Sequence, residues 1–278
     1  METRFLPQQP IGVFDSGVGG LSVLRALRRA LPNEDMLYLA DQAHIPYGPK
    51  SKENIREFAF EITRFLLDQD VKLIVVACNT ASAAALHALR EGFPSVSFVG
   101  MEPAVKPAAE ATRTGKVGVL ATPTTFSGDL YASVVERFAQ HVTIYKSTCP
   151  RLVEEIEDGN LDTTKTRIIL EEALGPMLKA GIDTVVMGCT HYPFVIPIIE
   201  EITGPGVRTI DPAPAIARQA HRLLEVQGLL NPKKSYGEMT FYTSGNVQAF
   251  ANLLPRLLGE SGLILQLKWN DSLHLKGQ

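Results

Sequence analysis

The sequence predicts an α/β fold of two similar doubly wound parallel-sheet domains that are related by internal duplication. Short apolar segments alternate with longer amphipathic segments along most of the chain, which is the pattern of strands followed by helices. Several apolar segments are continuously hydrophobic, as strands are in a parallel sheet that helices cover on both faces. Two features at strand ends recur at nearly equal spacing, which indicates the duplication.

Eight segments have the length and the apolar or β-branched composition of strands. In chain order they are 11–14, 36–40, 72–77, 96–99, 117–121, 142–146, 183–188 and 207–210. Six longer amphipathic segments between or after them are predicted to be helices. In chain order they are 20–31, 52–68, 80–91, 126–139, 163–180 and 212–227. A connection rich in Pro, Lys and Gly near 228–237 then leads to a final strand–helix–strand unit.

The internal repeat consists of two pairs of segments, in each of which an apolar strand runs into a loop. IGVFDSG at 11–17 corresponds to VGVLATP at 117–123, and IVVACNT at 74–80 corresponds to VVMGCTH at 185–191. The simplest arrangement is discontinuous. Residues 1–98 plus 209–278 are predicted to form the first α/β domain, and residues 99–208 the second.

Composition and charge limit the functional classes. The chain has 278 residues, of which 45% are hydrophobic and 21% charged, the balance of a soluble globular protein. A net charge of -3 without blocks of like charge gives no electrostatic basis for binding nucleic acid or an anionic membrane. The N-terminus lacks the apolar core of a signal peptide, so we expect a cytoplasmic protein. Three cysteines without a CxxC pair or a close Cys/His cluster predict neither a disulfide framework nor a metal site.

The most informative residues are two cysteines at strand ends, Cys78 and Cys189. Ligands bind beyond the carboxyl ends of strands in open parallel sheets, so both thiols are expected to face one interdomain cleft that holds the active site. A single cysteine would more often be a buried structural residue. Asn79 or Thr80 is expected to cap the next helix, whose N-terminus would favour a thiolate at Cys78.

The second cysteine is accompanied by a histidine. His191 lies two positions after Cys189 and can hydrogen-bond or protonate a neighbouring thiol. The recurrence of a cysteine at a strand end, together with this histidine, favours a shared catalytic role for the two thiols. Cys149 precedes a proline, has no matching partner and is expected to be structural.

The loop after the first strand allows two interpretations. From Asp15 to Ser22 it nearly matches G-x-G-x-x-G, and Asp41 follows at the distance that a dinucleotide-binding fold requires. Asp15, however, would repel a pyrophosphate. The loop could instead be a helix-capping turn without a ligand.

Two further loops are candidate ligand contacts. The loop at 41–49 contains Tyr47 and Gly48, where the backbone could approach a ligand closely or form an ordinary surface turn. In the second half of the chain, Thr122 and Thr125 occupy the position that corresponds to the glycine-rich loop and offer hydroxyl groups.

Two facing thiols suggest three kinds of chemistry. A disulfide oxidoreductase would fit two thiols, although such enzymes usually carry a Cys-x-x-Cys pair. Two covalent nucleophiles would be redundant, since one suffices. Two acid/base groups on opposite sides of one carbon would invert its configuration, because one thiolate removes a proton and the opposite thiol returns one. In that mechanism Asp15 is placed to assist Cys78, and His191 to assist Cys189.

Four segments together resemble the signature blocks of the glutamate racemases, a family that works without pyridoxal phosphate and belongs with the aspartate/glutamate racemases. They are DSGVGG at 15–20, PYG at 46–48, CNTA at 78–81 and GCTHYP at 188–193. The four occur in the family's order and spacing across nearly the whole chain.

The resemblance implies interconversion of L- and D-glutamate, which supplies D-glutamate for peptidoglycan synthesis, with no cofactor. It implies that Cys78 takes the proton from D-glutamate and Cys189 from L-glutamate, with assistance from Asp15 and His191. It also implies a homodimer, and a carboxylate near the site that Glu157 or a neighbour provides. The implied substrate contacts are Asp15, Ser16, Tyr47, Gly48, Asn79, Thr80, Thr122, Thr125, Thr190 and His191.

Other functions are compatible with these residues. A racemase for aspartate or another amino acid of the same superfamily would share the four blocks, since one methylene is worth only about 1–3 kcal/mol of discrimination. A pyridoxal phosphate racemase would need a Schiff-base lysine, and none occurs in the four segments. A two-lobed amino-acid-binding protein would explain a cleft but not the two cysteines.

Overall fold

The computed structural model describes residues 5–102, 104–270 and 272–277. The strands are, in chain order, β1 (Ile11–Asp15), β2 (Met36–Ala40), β3 (Leu73–Val76), β4 (Ser97–Gly100), β5 (Lys116–Ala121), β6 (Thr143–Ser147), β7 (Thr184–Gly188), β8 (Arg208–Ile210), β9 (Met239–Thr243), β10 (Leu263–Trp269) and β11 (Leu275–Gly277). The helices are α1 (Leu21–Ala30), α2 (Lys52–Asp68), α3 (Asn79–Gly92), α4 (Val105–Ala111), α5 (Pro123–Phe126), α6 (Asp129–Phe138), α7 (Leu152–Glu157), α8 (Thr164–Ala180), α9 (Ile196–Thr203), α10 (Ala213–Gln227) and α11 (Val247–Leu258).

The chain divides into two compact units. The larger consists of the described residues of Met1–Met101 and Ala213–Gln278, and the smaller of those of Glu102–Pro212. The predicted domain limits, after residues 98 and 208, lie slightly earlier than these. The difference arises because β4 continues to Gly100 in the sheet of the larger unit, whereas β8 belongs to the sheet of the smaller one.

The larger unit contains a seven-stranded sheet in the order β11-β10-β9-β2-β1-β3-β4. Its strand pairs are parallel except for β10 and β11, which are antiparallel. The final unit was predicted to end in a single strand after its helix, so the short edge strand β11 is an addition to the predicted fold.

The smaller unit contains a four-stranded parallel sheet in the order β6-β5-β7-β8. Within the larger sheet, β2-β1-β3-β4 have the same order relative to the chain. Each of these two sets of four strands therefore has the first strand of the set inside it, with one neighbour on one side and two strands on the other. This shared order confirms the predicted α/β fold of two similar halves.

The central strands are the most buried part of each sheet. Every residue of β1, β3 and β7 is buried, whereas the edge strands β6 and β8 are partly exposed. This is the burial expected of parallel sheets with helices on both faces. Within the described residues, no helix combines the length and the apolar character that crossing a membrane requires.

The prediction of one continuous helix over residues 126–139 is wrong. Segment 126–139 contains a break, because Gly128 has an extended backbone (φ -78°, ψ 142°) and stands at the N-cap of α6. The chain therefore forms the short helix α5, which ends at Phe126, and then α6.

Hydrogen bonds of Asp183 connect the start of β7 to the end of α4. Its carboxylate accepts hydrogen bonds from Thr112 Oγ1 at 2.5 Å and from the peptide N–H groups of Arg113 and Thr114 at 2.6 and 2.9 Å. Burial acts to raise the pKa of this carboxyl, but the hydrogen bonds outweigh burial and hold the pKa at about 2.

We expect Asp183→Asn to lower the free energy of unfolding by about 1–3 kcal/mol, because buried hydrogen bonds to an ionised acceptor are lost. The wild-type contribution is complete above the ordinary carboxyl pKa near 4 and is lost as pH falls from about 4 towards 2. Urea unfolding over this pH range should show that loss in the wild type and little of it in the variant. An equal pH dependence in both proteins would contradict this role.

Candidate active site

Three loops meet at one edge of the larger sheet, because β1, β2 and β3 are parallel neighbours that end together. The peptide N–H of Asp41, after β2, bonds to the carbonyl of Asp15 at the end of β1 at 2.9 Å. The N–H of Ala77, after β3, bonds to the carbonyl of Phe14 at 2.8 Å. The loops that carry Asp15, Tyr47 and Cys78 therefore begin side by side.

Cys78 is buried between the end of β3 and the start of α3. Its sulfur accepts a hydrogen bond from the peptide N–H of Ala81 at 3.4 Å, so the cysteine itself caps the helix. The predicted capping by Asn79 or Thr80 is wrong, because α3 begins at Asn79 and both residues lie in its first turn. The positive end of the helix dipole thus lies beside the sulfur, a location that stabilises a thiolate.

A polar chain leads from Cys78 to Asp15. The Cys78 sulfur lies 3.9 Å from Ser16 Oγ, and the Ser16 hydroxyl donates to Asp15 Oδ1 at 2.9 Å. The same carboxylate oxygen accepts from the peptide N–H of Gly17 at 3.0 Å. Gly20 leaves room for this carboxylate, since a Cβ at that position would lie 2.7 Å from Asp15 Cβ.

Tyr47 is buried, so its loop is more than an ordinary surface turn. Its hydroxyl donates to Asp41 Oδ2 at 2.7 Å. Burial and, after it, the charge of Asp41 raise the pKa of Tyr47 well above its usual value. The hydroxyl therefore remains a donor to Asp41, and its oxygen still has a lone pair for a ligand.

Asp41 is a buried side chain whose role could not be predicted from the sequence. It accepts hydrogen bonds from Tyr47, His44, Ser244 and Trp269. A carboxylate with four protein donors has no capacity left for a ribose hydroxyl. The arrangement therefore argues against the dinucleotide interpretation of the first loop.

Asn79 has the features of a ligand contact. Its side chain is buried, and among the described residues neither its amide oxygen nor its amide nitrogen has a hydrogen-bond partner. An unsatisfied buried polar group costs about 1–3 kcal/mol. A bound ligand with polar groups would supply the missing bonds. Thr80, the next residue of α3, is also buried.

In the smaller unit, Cys189 follows β7 directly and is buried. Its sulfur lies 3.7 Å from Nδ1 of His191, and Nε2 of His191 lies 2.7 Å from Oε1 of Glu157. Burial acts to lower the pKa of His191, but hydrogen bonds to Cys189 and Glu157 and their charges outweigh it and hold that pKa well above its usual value. The imidazole is thus a proton donor fixed between a thiol and a carboxylate.

Glu157 is the carboxylate that reaches this histidine. It is the last residue of α7, with its side chain on His191. The side chain of Glu155 turns instead to Lys165 and Asn160. The sequence left open whether Glu157 or a neighbour provides the carboxylate. Glu157 is the residue that contacts His191.

The remaining candidate residues of the smaller unit lie at the ends of β5 and β7, which are parallel neighbours. Thr122 Oγ1 accepts from the peptide N–H of Thr125 at 3.3 Å and lies 2.9 Å from Thr125 Oγ1, and both residues are buried. Thr190 is buried beside Cys189. Burial raises the pKa of Cys149 to about 12, so this third thiol stays protonated.

The structure thus assembles the predicted residues into two groups, one in each unit. Asp15, Ser16 and Cys78 are linked by direct contacts in the larger unit, as are Cys189, His191 and Glu157 in the smaller. Among the described residues, no group of three or more His, Cys, Asp or Glu side chains is arranged to hold a metal ion.

Comparison with known proteins places this chain among amino-acid racemases. The glutamate racemase of Roseiflexus sp. is 49% identical over 250 residues, which cover 90% of this chain and 92% of that protein. The crystal structure of Escherichia coli glutamate racemase in complex with L-glutamate and the activator UDP-MurNAc-ala has a TM-score of 0.82 and 35% identity, and covers 97% of this chain and 100% of that chain.

A second solved structure, the glutamate racemase of Francisella tularensis in complex with D-glutamate, has a TM-score of 0.82 and 33% identity and covers 93% of this chain and 97% of that chain. The family model of the Asp/Glu/Hydantoin racemases matches residues 11–220. That range includes both cysteine groups. This chain belongs to the Asp/Glu/Hydantoin racemase family.

Proposed function

We propose that this protein interconverts L- and D-glutamate by proton transfer at the α-carbon, with Cys78 and Cys189 as the two acid/base groups and no cofactor. The observation that carries the proposal is the duplication itself. The corresponding strands β3 and β7 each lead into a buried cysteine that has its own polar partners. The glutamate bound in the two solved relatives supports glutamate as the substrate.

On one side of the substrate, Cys78 acts with Ser16 and Asp15. As a thiolate it removes the α-proton of D-glutamate, and as a thiol it returns a proton when L-glutamate is the substrate. The chain from sulfur to Ser16 to Asp15 aligns the thiol proton towards a carboxylate. This alignment favours loss of the thiol proton, and so formation of the Cys78 thiolate, without a histidine.

On the other side, Cys189 acts with His191 and Glu157. The thiolate removes the α-proton of L-glutamate, and the thiol protonates the carbanion formed from D-glutamate. His191 lies against the sulfur, and its hydrogen bonds to Cys189 and to Glu157 outweigh burial and raise its pKa, which favours the protonated imidazole. A cation next to the sulfur stabilises the thiolate before it acts as a base.

The same proposal assigns the substrate contacts. Asn79 has the unsatisfied amide, and it is the first residue of α3, where the positive end of the helix dipole suits a substrate carboxylate. The other proposed contacts are Asp15, Ser16, Tyr47, Gly48, Thr80, Thr122, Thr125, Thr190 and His191. The proposal requires the two thiols to act on opposite faces of the same α-carbon.

The cellular role follows from the product. D-Glutamate is a component of peptidoglycan, so we place this reaction in the cytoplasm, ahead of cell-wall assembly. A homodimer is part of the same proposal.

The decisive experiment follows the circular dichroism of L-glutamate incubated with the purified protein, beside L-aspartate under the same conditions. We expect the glutamate signal to decay to zero, because the two enantiomers are equally stable, and the aspartate signal to persist. In deuterated water, early product should carry deuterium at the α-carbon mainly in the new enantiomer. Decay of aspartate alone would assign a different substrate, and racemisation without deuterium incorporation would exclude proton abstraction.

A further inference from the structure

The loop between β2 and α2 carries Tyr47 and Gly48, two of the proposed substrate contacts, and it begins with the buried Asp41. The strands that contact this loop, β9 and β10, come from the C-terminal part of the chain. That part lies beyond residue 220, where the match to the family model ends.

One carboxylate joins the loop to the C-terminal strands. Asp41 Oδ1 accepts from the indole N–H of Trp269, on β10, and from the hydroxyl of Ser244, after β9, both at 2.7 Å. Asp41 Oδ2 accepts from the Tyr47 hydroxyl at 2.7 Å and lies 2.9 Å from Nδ1 of His44. Tyr47 and Trp269 are therefore bonded to the two oxygens of the same buried group.

Aromatic rings enclose this carboxylate. His44 stacks on Phe58 with ring centroids 3.9 Å apart and planes 9° apart. The plane of Trp269 is inclined at 69° to that of His44 and at 63° to that of Phe58, with ring centroids 4.8 and 5.6 Å away. Phe58 in turn lies 5.8 Å from the ring of Tyr47. Trp269 thus restrains the Tyr47 side of the loop through both a hydrogen bond and ring packing.

The loop is also attached to the end of β9 and the residue after it by hydrogen bonds that do not involve Trp269. The peptide N–H of Ala43 donates to Ser244 Oγ at 3.0 Å, and the N–H of Ser244 donates to the carbonyl of Ala40 at 3.1 Å. Thr243 Oγ1 donates to the side chain of Gln42 at 2.8 Å. Removal of the Trp269 N–H therefore leaves the course of the loop in place and changes mainly the partners of Asp41.

We infer that Trp269 is a positioning residue for Tyr47, acting through the carboxylate of Asp41. The inference rests on the proposed function, since it takes Tyr47 to be a substrate contact. Without the indole N–H, Asp41 retains three donors and is free to shift towards them, which moves the Tyr47 hydroxyl. A contact that the substrate makes equally in the ground state and the transition state affects KM rather than kcat.

The test compares Trp269→Phe, which keeps an aromatic ring and removes the N–H, with Leu267→Ala. Leu267 is buried two residues earlier on β10 and offers no hydrogen bond to Asp41. We expect Trp269→Phe to raise KM for glutamate roughly tenfold with kcat within about threefold. Leu267→Ala should lower the free energy of unfolding and leave KM unchanged. A wild-type KM in Trp269→Phe, or an equal KM increase in both variants, would overturn the inference.

A second measurement does not depend on turnover. Trp269 is the sole tryptophan of the chain, so tryptophan fluorescence reports this position alone. We expect a saturable change in wild-type fluorescence as glutamate is added, and a flat signal would count against the inference. If glutamate is not racemised but the fluorescence change occurs, the proposed function fails while the link from Trp269 to the ligand site stands. If racemisation occurs with a flat signal and an unchanged KM in Trp269→Phe, only the inference fails.

Discussion

Cys78→Ser is expected to reduce the interconversion of L- and D-glutamate by up to about 10⁴-fold, and Cys189→Ser to do the same. A serine hydroxyl has nearly the size of the thiol but a far higher pKa. At neutral pH it therefore neither removes the α-proton as a base nor protonates the carbanion efficiently as an acid. Each thiol acts as the base in one direction and as the acid in the other. Loss of either one therefore stops both directions.

Exchange with deuterated water separates this mechanism from one with a single base. In Cys78→Ser the intact Cys189 can still remove and replace the α-proton of L-glutamate, so any remaining exchange should be confined to L-glutamate. In Cys189→Ser it should be confined to D-glutamate. Exchange of both enantiomers in one variant would show that a single group serves both faces, and it would defeat the two-thiol mechanism.

A matched control makes these losses specific. Cys149→Ser changes the third cysteine, which is also buried and whose pKa burial raises to about 12. It should retain activity of the wild-type order, because a thiol that stays protonated is not the base. Thermal unfolding of the three variants would show whether any loss of activity comes from loss of the fold.

The order of strands and helices was predictable because the buried strands have a strong signal. Apart from Asp15 and Thr184 at their ends, β1, β3 and β7 are continuously apolar, since helices cover both faces of each sheet. Elements without that signal were missed. α7 has only six residues, too few for helical periodicity, and the residues before it, Cys149 and Arg151, have left-handed backbones that no pattern indicates. β11 is three residues at a sheet edge and leaves a similarly weak trace.

The candidate site was predictable where its residues are close in sequence or repeated. Cys78 and Cys189 stand out because the duplication gives each the same place after a strand, and His191 is two residues from its thiol. Contacts between distant residues left no such trace. The contact of His191 with Glu157 spans 34 residues, and that of Trp269 with Asp41 spans 228. Tertiary packing alone creates them.

His191→Asn is expected to lower kcat/KM for both enantiomers by about 10²–10⁴-fold, because it removes the cation that prepares Cys189. The same decrease must occur in both directions, since L- and D-glutamate are equally stable and the equilibrium constant is fixed at one. Asp15→Asn should produce a loss of the same order through Cys78. Overall rates alone therefore do not show which thiol each residue assists.

Kinetic isotope effects with substrate deuterated at the α-carbon show which thiol each residue assists. In His191→Asn the proton transfer at Cys189 becomes the slow step, so the isotope effect should increase for deuterated L-glutamate and decrease for deuterated D-glutamate. Asp15→Asn should show the reverse isotope effects, because Cys78 removes the α-proton of D-glutamate. Ser16→Ala tests whether Asp15 acts on Cys78 through the Ser16 hydroxyl. If it does, this variant has the isotope pattern of Asp15→Asn. The same pattern in His191→Asn and Asp15→Asn would mean that the two residues do not serve separate thiols.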